Sequence, residues 1–347
     1  MPDATEDPAT GSRSDGAELV TVVIPARNEE GAIVQAVRSV QEQTYRQLQI
    51  IVVDGGSEDR TVELTKALAA DDDRIEILHN PAGIIPRSLN LALAAARGTW
   101  LVRVDAHATI PRTYVERIVE HFASGDWGGV GGRKDGVGAG PVGEAIAAAM
   151  GSRFGVGNST YHYATTVADA EHIPFGAYPV ALARELGGWD ERLRVNQDFE
   201  FDYRVRQAGH RLLLDPDLSI SWESRQSIGA LYSQYLRYGR GKAKVAGLHP
   251  SSVRARHLTA PALVAALAAA LLSVRRRPAR AVLLTAPYLA GVGLASARTA
   301  PKVSREARPF LPPAFVAMHL GWGLGFWRGL PDLVAMLRSG SRPPGRG

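Results

Sequence analysis

The sequence contains no cysteine, which excludes disulfide bonds, cysteine-based zinc sites, iron–sulfur clusters and a thiol nucleophile. Acidic residues are almost missing from its last third, where residues 240–347 hold 17 Lys or Arg against only Glu306 and Asp332. Since the 347-residue chain has a net charge of +5, residues 1–239 are acidic overall. At 45% hydrophobic and 22% charged, the chain is too apolar for a disordered protein. The composition predicts a folded acidic body with a strongly basic C-terminal region.

The first 18 residues are polar and show no apolar periodicity. They lack the basic start and the apolar run of a secretory signal peptide. We therefore expect residues 1–18 to be a disordered leader and the body that follows to lie in the cytoplasm.

Short apolar runs alternate with helical patterns over the first third of the chain. Strands are predicted at 19–25, 48–53, 74–78 and 100–104, and helices between them at 30–42, 59–70 and 86–97. This alternation predicts an α/β fold, with a parallel sheet covered by helices on both faces. Farther along, the glycine-rich residues 128–143 predict a mobile loop, and residues 196–209 predict another helix.

Polar clusters follow three of the predicted strands, at residues 25–29, 54–59 and 105–107. Ligand sites in parallel sheets lie beyond the carboxyl ends of the strands. Asp54 can accept hydrogen bonds from a nucleobase or ribose, and it equally suits a turn that caps the next helix. Asp105 and His107 project to the same side of an extended segment, where they can hold a divalent cation against a diphosphate.

Two further segments carry charged residues suited to chemistry. Residues 196–204 place several acids around aromatic side chains at a helix start, where Asp198 would be available as a base or would simply be solvated. Residues 234–242 interleave basic, aromatic and glycine residues. Their arginines can bind phosphate oxygens, or anchor the chain on anionic lipid.

Three uncharged runs lie near the C-terminus, at 259–274, 281–297 and 311–327. Each is slightly shorter than the roughly 20 residues that cross a bilayer. A single such run would suit the core helix of a soluble protein. Three of them, flanked by Arg and Lys, predict a membrane region at 257–338 with segments at about 258–274, 281–297 and 311–330. The apolar runs also favour lipid over nucleic acid as the partner of the basic region.

Four motifs in this order resemble family 2 glycosyltransferases. They are Val-Thr-Val-Val-Ile-Pro-Ala-Arg-Asn-Glu-Glu at 20–30, Ile-Val-Val-Asp-Gly-Gly-Ser-Glu-Asp-Arg-Thr at 51–61, Asp-Ala-His at 105–107, and Gly-Gly-Trp-Asp-Glu followed by Gln-Asp-Phe-Glu at 187–200. The sequence is particularly similar to membrane-bound enzymes of the succinoglycan-biosynthesis type. The resemblance implies a Rossmann-like GT-A fold over residues 19–250, a nucleotide-diphosphate sugar donor, a divalent cation and inversion at the anomeric carbon.

The resemblance also implies roles for individual residues. Asp198 would be the general base, and Asp105 with His107 would hold Mn²⁺ or Mg²⁺. The donor nucleotide would be bound by Pro25, Ala26, Asn28, Glu29, Asp54, Gly56, Arg87 and Asp105. The diphosphate or the acceptor would be bound by Glu200, Gln234, Arg237, Tyr238 and Lys242. Two positions depart from the family pattern: His107 stands where a second aspartate is usual, and Gln197 stands where a glutamate is usual.

The expected activity is an inverting transfer of a sugar from a UDP-linked donor to a lipid-linked saccharide, in the assembly of bacterial exopolysaccharide. Its partners would be the nucleotide sugar, a polyprenyl-diphosphate-linked acceptor and the cell membrane. A polyprenyl-phosphate sugar synthase is the alternative enzyme. An inactive, membrane-bound nucleotide-sugar-binding scaffold is the alternative from another class.

Overall fold

The computed structural model describes residues 18–339, so the leader expected at 1–18 lies outside the described residues except for Glu18. The strands are Val20–Ala26 (β1), Leu48–Asp54 (β2), Ile75–His79 (β3), Trp100–Arg103 (β4), Ala108–Thr109 (β5), Trp127–Val137 (β6), Ala168–Asp169 (β7), Ala177–Pro179 (β8) and Arg211–Glu223 (β9). The helices up to the end of the sheet are Ile33–Gln41 (α1), Thr61–Ala70 (α2), Ile85–Ala95 (α3), Tyr114–Ser124 (α4), Gly140–Met150 (α5), Arg153–Val156 (α6), Val180–Glu185 (α7) and Gln197–Gln207 (α8). The helices after it are Ile228–Leu248 (α9), Ala255–Ser273 (α10), Pro278–Thr299 (α11), Leu311–Arg328 (α12) and Leu330–Ser339 (α13).

The nine strands form one mixed sheet in the order β3-β2-β1-β4-β8-β6-β9-β5, with β7 paired to β9. The first four strands in this order are parallel, and helices connect them, which confirms the α/β fold and the parallel sheet expected from residues 19–104. All seven residues of β2 are buried, as continuous apolar strands require when both faces are covered. The sheet then changes direction, because β8 runs antiparallel to both β4 and β6.

The glycine-rich segment expected to be a mobile loop is instead the long strand β6, and this prediction was wrong. β6 runs parallel to β9 over most of its length. Its glycines let neighbouring chain segments come close: a Cβ on Gly132 would lie 1.5 Å from the carbonyl oxygen of Leu218, and one on Gly131 would lie 2.6 Å from Cβ of Ile173. The glycines therefore serve close packing within the sheet rather than mobility.

Two of the three predicted membrane segments lie against α12 and are otherwise largely exposed. α10 and α11, the latter continued by a short 3₁₀ turn to Lys302, are the two helices among residues 18–339 that are long and apolar enough to cross a membrane. Most of their surface is exposed, including Leu271, Leu272 and Leu283. Contiguous exposed apolar surfaces mark sites of contact with a membrane or with another protein.

The third predicted segment behaves differently. α12 packs along α9 and against α5, and Phe315 and Met318 are fully buried in the main hydrophobic core. Small residues permit this contact, since a Cβ on Gly325 would lie 2.1 Å from the carbonyl oxygen of Leu236. The expectation that 311–330 forms a separate membrane segment like the other two is therefore corrected: this helix is part of the core of the folded body.

Candidate active site

The three polar clusters that follow strands meet at one edge of the sheet. β1 and β2 end side by side, with Ala26 opposite Asp54 in the parallel register. β4 pairs with the other side of β1 and ends at Arg103. Pro25 and Ala26 line this edge from β1, which is where parallel sheets bind their ligands.

Hydrogen bonds hold together the loops that follow β1 and β2. The backbone N–H of Asn28 donates to Ser57 Oγ at 3.0 Å, and Oδ1 of the Asn28 side chain accepts a hydrogen bond from the N–H of Glu58 at 2.8 Å. The N–H of Glu29 donates to Thr61 Oγ1 at 2.7 Å. Asn28 has a φ of 56°, in the left-handed region that asparagine tolerates better than most residues. The side chain of Asn28 therefore shapes the expected nucleotide edge by joining its two loops.

Asp54 is buried at the end of β2, where its carboxylate closes a turn. Oδ1 accepts from the N–H of Ser57 at 3.0 Å, while Oδ2 accepts from the N–H of Gly56 at 3.2 Å and lies 3.1 Å from His79 Nδ1. Burial by itself raises the pKa of Asp54, but hydrogen bonds from Ser57, His79 and Gly56 outweigh it and leave the pKa below its usual value. Gly56 makes the turn with a φ of 78°. Asp54 thus has the structural role of a turn residue, and Oδ1 retains a lone pair for a base or ribose.

Arg103, only 5% exposed, connects two of the expected site residues. Its Nε donates to Asp105 Oδ1 at 2.9 Å, and its Nη1 donates to both carboxylate oxygens of Asp198 at 2.6 and 2.7 Å. Burial alone lowers the pKa of Arg103, but Asp105 and Asp198 outweigh it and raise that pKa above its ordinary value. The expected metal ligand and the expected base therefore share one buried positive charge.

Asp198 lies in the first turn of α8, as its sequence context predicts. The residue before the helix, Asn196, has a φ of 61°, and its side-chain Nδ2 donates to the carbonyl of Tyr238 on α9 at 3.0 Å. The Asp198 side chain is 22% exposed, so a substrate hydroxyl can reach it. The positive end of the helix dipole lies at this carboxylate.

His107 is positioned by protein partners at both ring nitrogens. Nδ1 lies 3.0 Å from Glu29 Oε1, and Nε2 accepts a hydrogen bond from the indole N–H of Trp222 at 3.1 Å. The hydrogen bond to Glu29, with smaller contributions from the charges of Asp105 and Glu29, raises the pKa of His107. Both ring nitrogens thus have protein partners, and the role of His107 as a metal ligand stays a prediction.

A cavity of about 340 Å³ lies against β6 and α5, and Trp222, the hydrogen-bond partner of His107, is one of its lining residues. Its size falls at the lower end of the range of about 300–1,000 Å³ for small-molecule sites. The walls include Lys134 and Trp222, with His162 and Met150 farther around. The ammonium of Lys134 lies 3.6 Å above the Trp222 ring. The cavity therefore combines a cation, an aromatic surface and small residues at the border of the site.

Lys134 is the second cation of the site. Desolvation is the main cause that lowers the pKa of Lys134 to about 8, with Arg103 acting in the same direction and Asp105 and Asp198 opposing it. The Phe175 ring lies between the two cations, 5.1 Å from Nζ of Lys134 and 5.2 Å from the guanidinium carbon of Arg103. Phe175 has a φ of 50°, an unfavourable conformation for an aromatic residue.

The residues expected on α9 lie along the same edge. Gln234 is buried, and its Nε2 donates to the hydroxyl of Tyr238 at 2.9 Å, while its Oε1 has no partner. Burial is the main cause that raises the pKa of Tyr238, and the nearby charge of Asp105 acts in the same direction. Arg237 is exposed and close enough to Tyr238 to oppose this shift. These three residues thus face the site from α9.

Three expected site residues have other partners. Glu200 is buried and bonds to Arg204 Nε at 2.7 Å and to His249 Nε2 at 2.9 Å, so it joins α8 to α9. Lys242 is buried, and its ammonium lies 3.6 Å from the centroid of the Phe199 ring. Arg87 is half exposed on α3 and pairs with Glu191 at 3.3 Å. The contacts expected from Glu200 and Lys242 to the diphosphate or the acceptor therefore stay predictions.

Sequence reasoning missed Arg103 and Lys134. Arg103 left a signal, because it is a charge inside the apolar run Leu-Val-Arg-Val and stands two residues before Asp105, on the same side of the strand. Lys134 left no such signal, because the glycine-rich sequence around it predicts a loop.

The comparisons with known proteins agree with this geometry. Residues 21–185 match the family model Glycosyl transferase family 2. The succinoglycan biosynthesis protein ExoA of Rhizobium meliloti is 32% identical over 318 residues, which are 90% of this chain and 94% of that protein. The chain belongs to glycosyl transferase family 2. The pre-mycofactocin glycosyltransferase of Mycobacterium tuberculosis is 28% identical over 251 residues, covering 71% of this glycosyltransferase and 51% of that protein.

A solved structure confirms the fold of this glycosyltransferase. The mannosyltransferase PcManGT from Pyrobaculum calidifontis, in complex with GDP-Man and Mn²⁺, superposes with a TM-score of 0.61 at 21% identity, over 87% of each chain. The α/β domain of this glycosyltransferase is therefore a GT-A domain, followed by two apolar helices that are candidate membrane spans.

Proposed function

We propose that this glycosyltransferase moves a sugar, with inversion, from a UDP-linked donor to a lipid-linked saccharide in exopolysaccharide assembly. The observation that carries the proposal is the joint contact of Arg103 with Asp105 and Asp198. It positions an exposed carboxylate next to the strand end where the donor diphosphate is expected. The similarity to a succinoglycan biosynthesis protein supports exopolysaccharide as the product class.

The proposed reaction begins with Asp198. Its carboxylate accepts the proton of an acceptor hydroxyl, and the hydroxyl oxygen forms a bond to the anomeric carbon. The bond from that carbon to the diphosphate breaks, and its electron pair leaves with the nucleotide diphosphate. Attack from the side opposite the leaving group inverts the anomeric carbon. Lys134 and Arg237 supply positive charge for the departing diphosphate.

Asp105 suits a divalent cation through one oxygen. Arg103 occupies Oδ1, which leaves Oδ2 for a ligand. Among residues 18–339 no group of three or more His, Asp or Glu side chains is arranged to hold a metal. Mg²⁺ sites commonly use one or two carboxylates and complete the shell with water and substrate phosphates. When bound, the cation would neutralise charge on the diphosphate, and the Mn²⁺ found with the mannosyltransferase neighbour supports this.

The C-terminal helices support a membrane location. α10 and α11 expose apolar side chains along their length, and Arg275, Arg276, Arg277 and Arg280 surround the turn between them. We infer that these helices anchor the enzyme in the cell membrane with the catalytic domain in the cytoplasm. The lipid-linked acceptor would then lie within reach of the site.

A panel of radiolabelled nucleotide sugars tests the proposal. Membranes that contain the full chain are incubated with each donor, with and without Mn²⁺ or Mg²⁺, and lipid extracts are examined for label. We expect label in a lipid-linked saccharide from one donor, and a loss of transfer with EDTA. Label on a monosaccharide phosphate lipid alone would indicate the synthase alternative, while donor binding without any transfer would indicate the scaffold.

A further inference from the structure

Lys242 is a buried cation that the proposed reaction does not use. It lies on α9 with 2% of its surface exposed, and its Nζ has no hydrogen-bond partner. The face of the Phe199 ring lies against it, 3.6 Å from Nζ to the ring centroid. Phe199 directly follows Asp198 on α8. Lys242 therefore contacts the residue next to the proposed base.

Other basic side chains gather around Lys242. Arg256 forms an ion pair with Glu171, and Arg254 Nε lies 3.9 Å from the same carboxylate. Arg206 also acts electrostatically on both Glu171 and Lys242. We call these five residues the basic pocket. It holds four cations and one acid, so its charge is not balanced within the described part of the chain.

Unpartnered donors distinguish the basic pocket from an ordinary ion-pair network. Besides Lys242 Nζ, Arg206 Nε is buried without a hydrogen-bond partner. A buried donor without a partner is costly, and most buried polar groups are paired. Desolvation and the charges of Arg256 and Arg206 lower the pKa of Lys242 to about 7, while Glu171 opposes them. A polyvalent oxyanion would satisfy these donors and restore the charged form of Lys242.

The position of the basic pocket indicates which oxyanion it receives. Arg254 and Arg256 stand at the start of α10, the first candidate membrane span, and the chain turns there from the catalytic domain into the apolar helices. The phosphate group of a lipid lies at this level of a membrane. We propose that the basic pocket binds the phosphate or diphosphate group of a lipid. This inference rests on the proposed function, because it assigns an anchoring point for the lipid-linked acceptor.

The first experiment measures anion binding. The full chain is placed in phosphatidylcholine nanodiscs and titrated with inorganic pyrophosphate by calorimetry. Lys242→Met keeps the stem on Phe199 but removes the charge, and we expect it to weaken pyrophosphate binding by about tenfold or more. Lys244→Met, two residues away on α9, is the matched control and should bind as the wild type does.

The second experiment separates the sources of phosphate. The titration is repeated in nanodiscs doped with undecaprenyl phosphate or with phosphatidylglycerol. Competition by undecaprenyl phosphate alone assigns the pocket to the carrier of the acceptor, and equal competition by both assigns it to anionic headgroups in general. If neither lipid competes with pyrophosphate, the proposal of a lipid ligand is overturned.

A stability measurement tests whether Lys242→Met loses pyrophosphate binding only because the variant is destabilised. Because Lys242 is buried without a partner, Lys242→Met should raise the thermal unfolding temperature in anion-free buffer. A lower unfolding temperature, or unchanged pyrophosphate affinity, would overturn the inference. Sugar-nucleotide binding is measured on the same samples. Its absence from the wild type would overturn the proposed function itself, whereas normal donor binding together with an unchanged pyrophosphate affinity of Lys242→Met would overturn the basic pocket alone.

Discussion

The guanidinium of Arg103 lies 2.6 Å from a carboxylate oxygen of Asp198, across 95 residues of chain. The same guanidinium donates to Asp105. Because Arg103 is buried, its charge is little screened by water, and its two carboxylate partners balance it. The position of the proposed base is thus determined by a residue on the strand that leads to the donor site.

Replacement of Arg103 should disturb both carboxylates. Arg103→Gln leaves two carboxylates without their cation, so we expect a loss of about 3–5 kcal/mol in the free energy of unfolding and a large loss of transfer. Arg103→Lys keeps the charge, but an ammonium cannot donate to both carboxylates in the geometry of the guanidinium. We therefore expect this variant to lose less of its stability than of its activity. Urea denaturation and initial transfer rates measure the two effects. A fully active Arg103→Gln would show that the contact has no role in positioning Asp198.

Asp198→Asn tests the base directly. Asparagine has the same shape and still accepts a hydrogen bond from Arg103, but it cannot take the proton of the acceptor. Transfer should fall by about 10²–10⁴-fold, and donor binding should stay close to that of the wild type. Transfer rates and nucleotide binding by calorimetry check both statements. A variant with near wild-type transfer would rule out Asp198 as the base.

The lowered pKa of Lys134 predicts opposite effects of pH on activity and on stability. Its pKa is about 8 in the folded state against 10.5 as the ordinary value, so the unfolded chain binds more protons between these values. The contribution of Lys134 to stability therefore rises with pH across that window. Activity should decline as pH rises through about 8, because the charge that faces the diphosphate is lost.

Two variants separate Lys134 from other groups that titrate. Lys134→Arg keeps its charge and should flatten the alkaline decline of kcat, while Lys134→Met should lower kcat below about pH 8, where the wild type carries the charge. Lys66→Met, at an exposed position of α2, is the control for general loss of a lysine. An unchanged alkaline limb in Lys134→Arg would assign the decline to another residue.

Gly132 tests whether β6 is a packed strand. A Cβ at this position would lie 1.5 Å from the carbonyl oxygen of Leu218, so Gly132→Ala should destabilise the domain by at least the roughly 1–3 kcal/mol of an overpacked core. Gly229→Ala is the matched control, because no atom lies within 4 Å of its Cβ and the residue is helical. That control should be neutral or slightly stabilising. Equal stability of the two variants, by thermal unfolding, would support a loop instead.

Ser273→Cys reports the topology of α10 and α11. Because the chain has no cysteine, the introduced thiol is unique. If the arginines around the turn stay on the cytoplasmic side, as positive residues tend to, an impermeant thiol reagent should label this variant only after cells are permeabilised. Lys66→Cys on α2 marks the side of the catalytic domain. Labelling of Ser273→Cys in intact cells would show that both helices cross the membrane.

The local hydrophobic pattern of the sequence was sufficient to predict the parallel half of the sheet and the position of the candidate site. The strands β1 to β4 are continuous apolar runs, and each run ends where polar residues begin, so their bounds and the converging ends could be predicted. The same reasoning failed for β6. Its glycines predict a mobile loop. In the sheet, however, they allow neighbouring residues such as Leu218 and Ile173 to approach closely.

The sequence by itself determined the fold class, the family motifs and the proposed base, because these depend on local periodicity and short-range order. Tertiary structure alone decided the partners of individual charges. Asp198 reaches Arg103, Glu200 reaches His249, and Lys242 faces Phe199. Only tertiary structure separated α12, which is largely buried in the core, from α10 and α11, which are mostly exposed. The physical reason is that the partner of a charge, or of an apolar face, is chosen by distance in space, which composition and spacing along the chain do not encode.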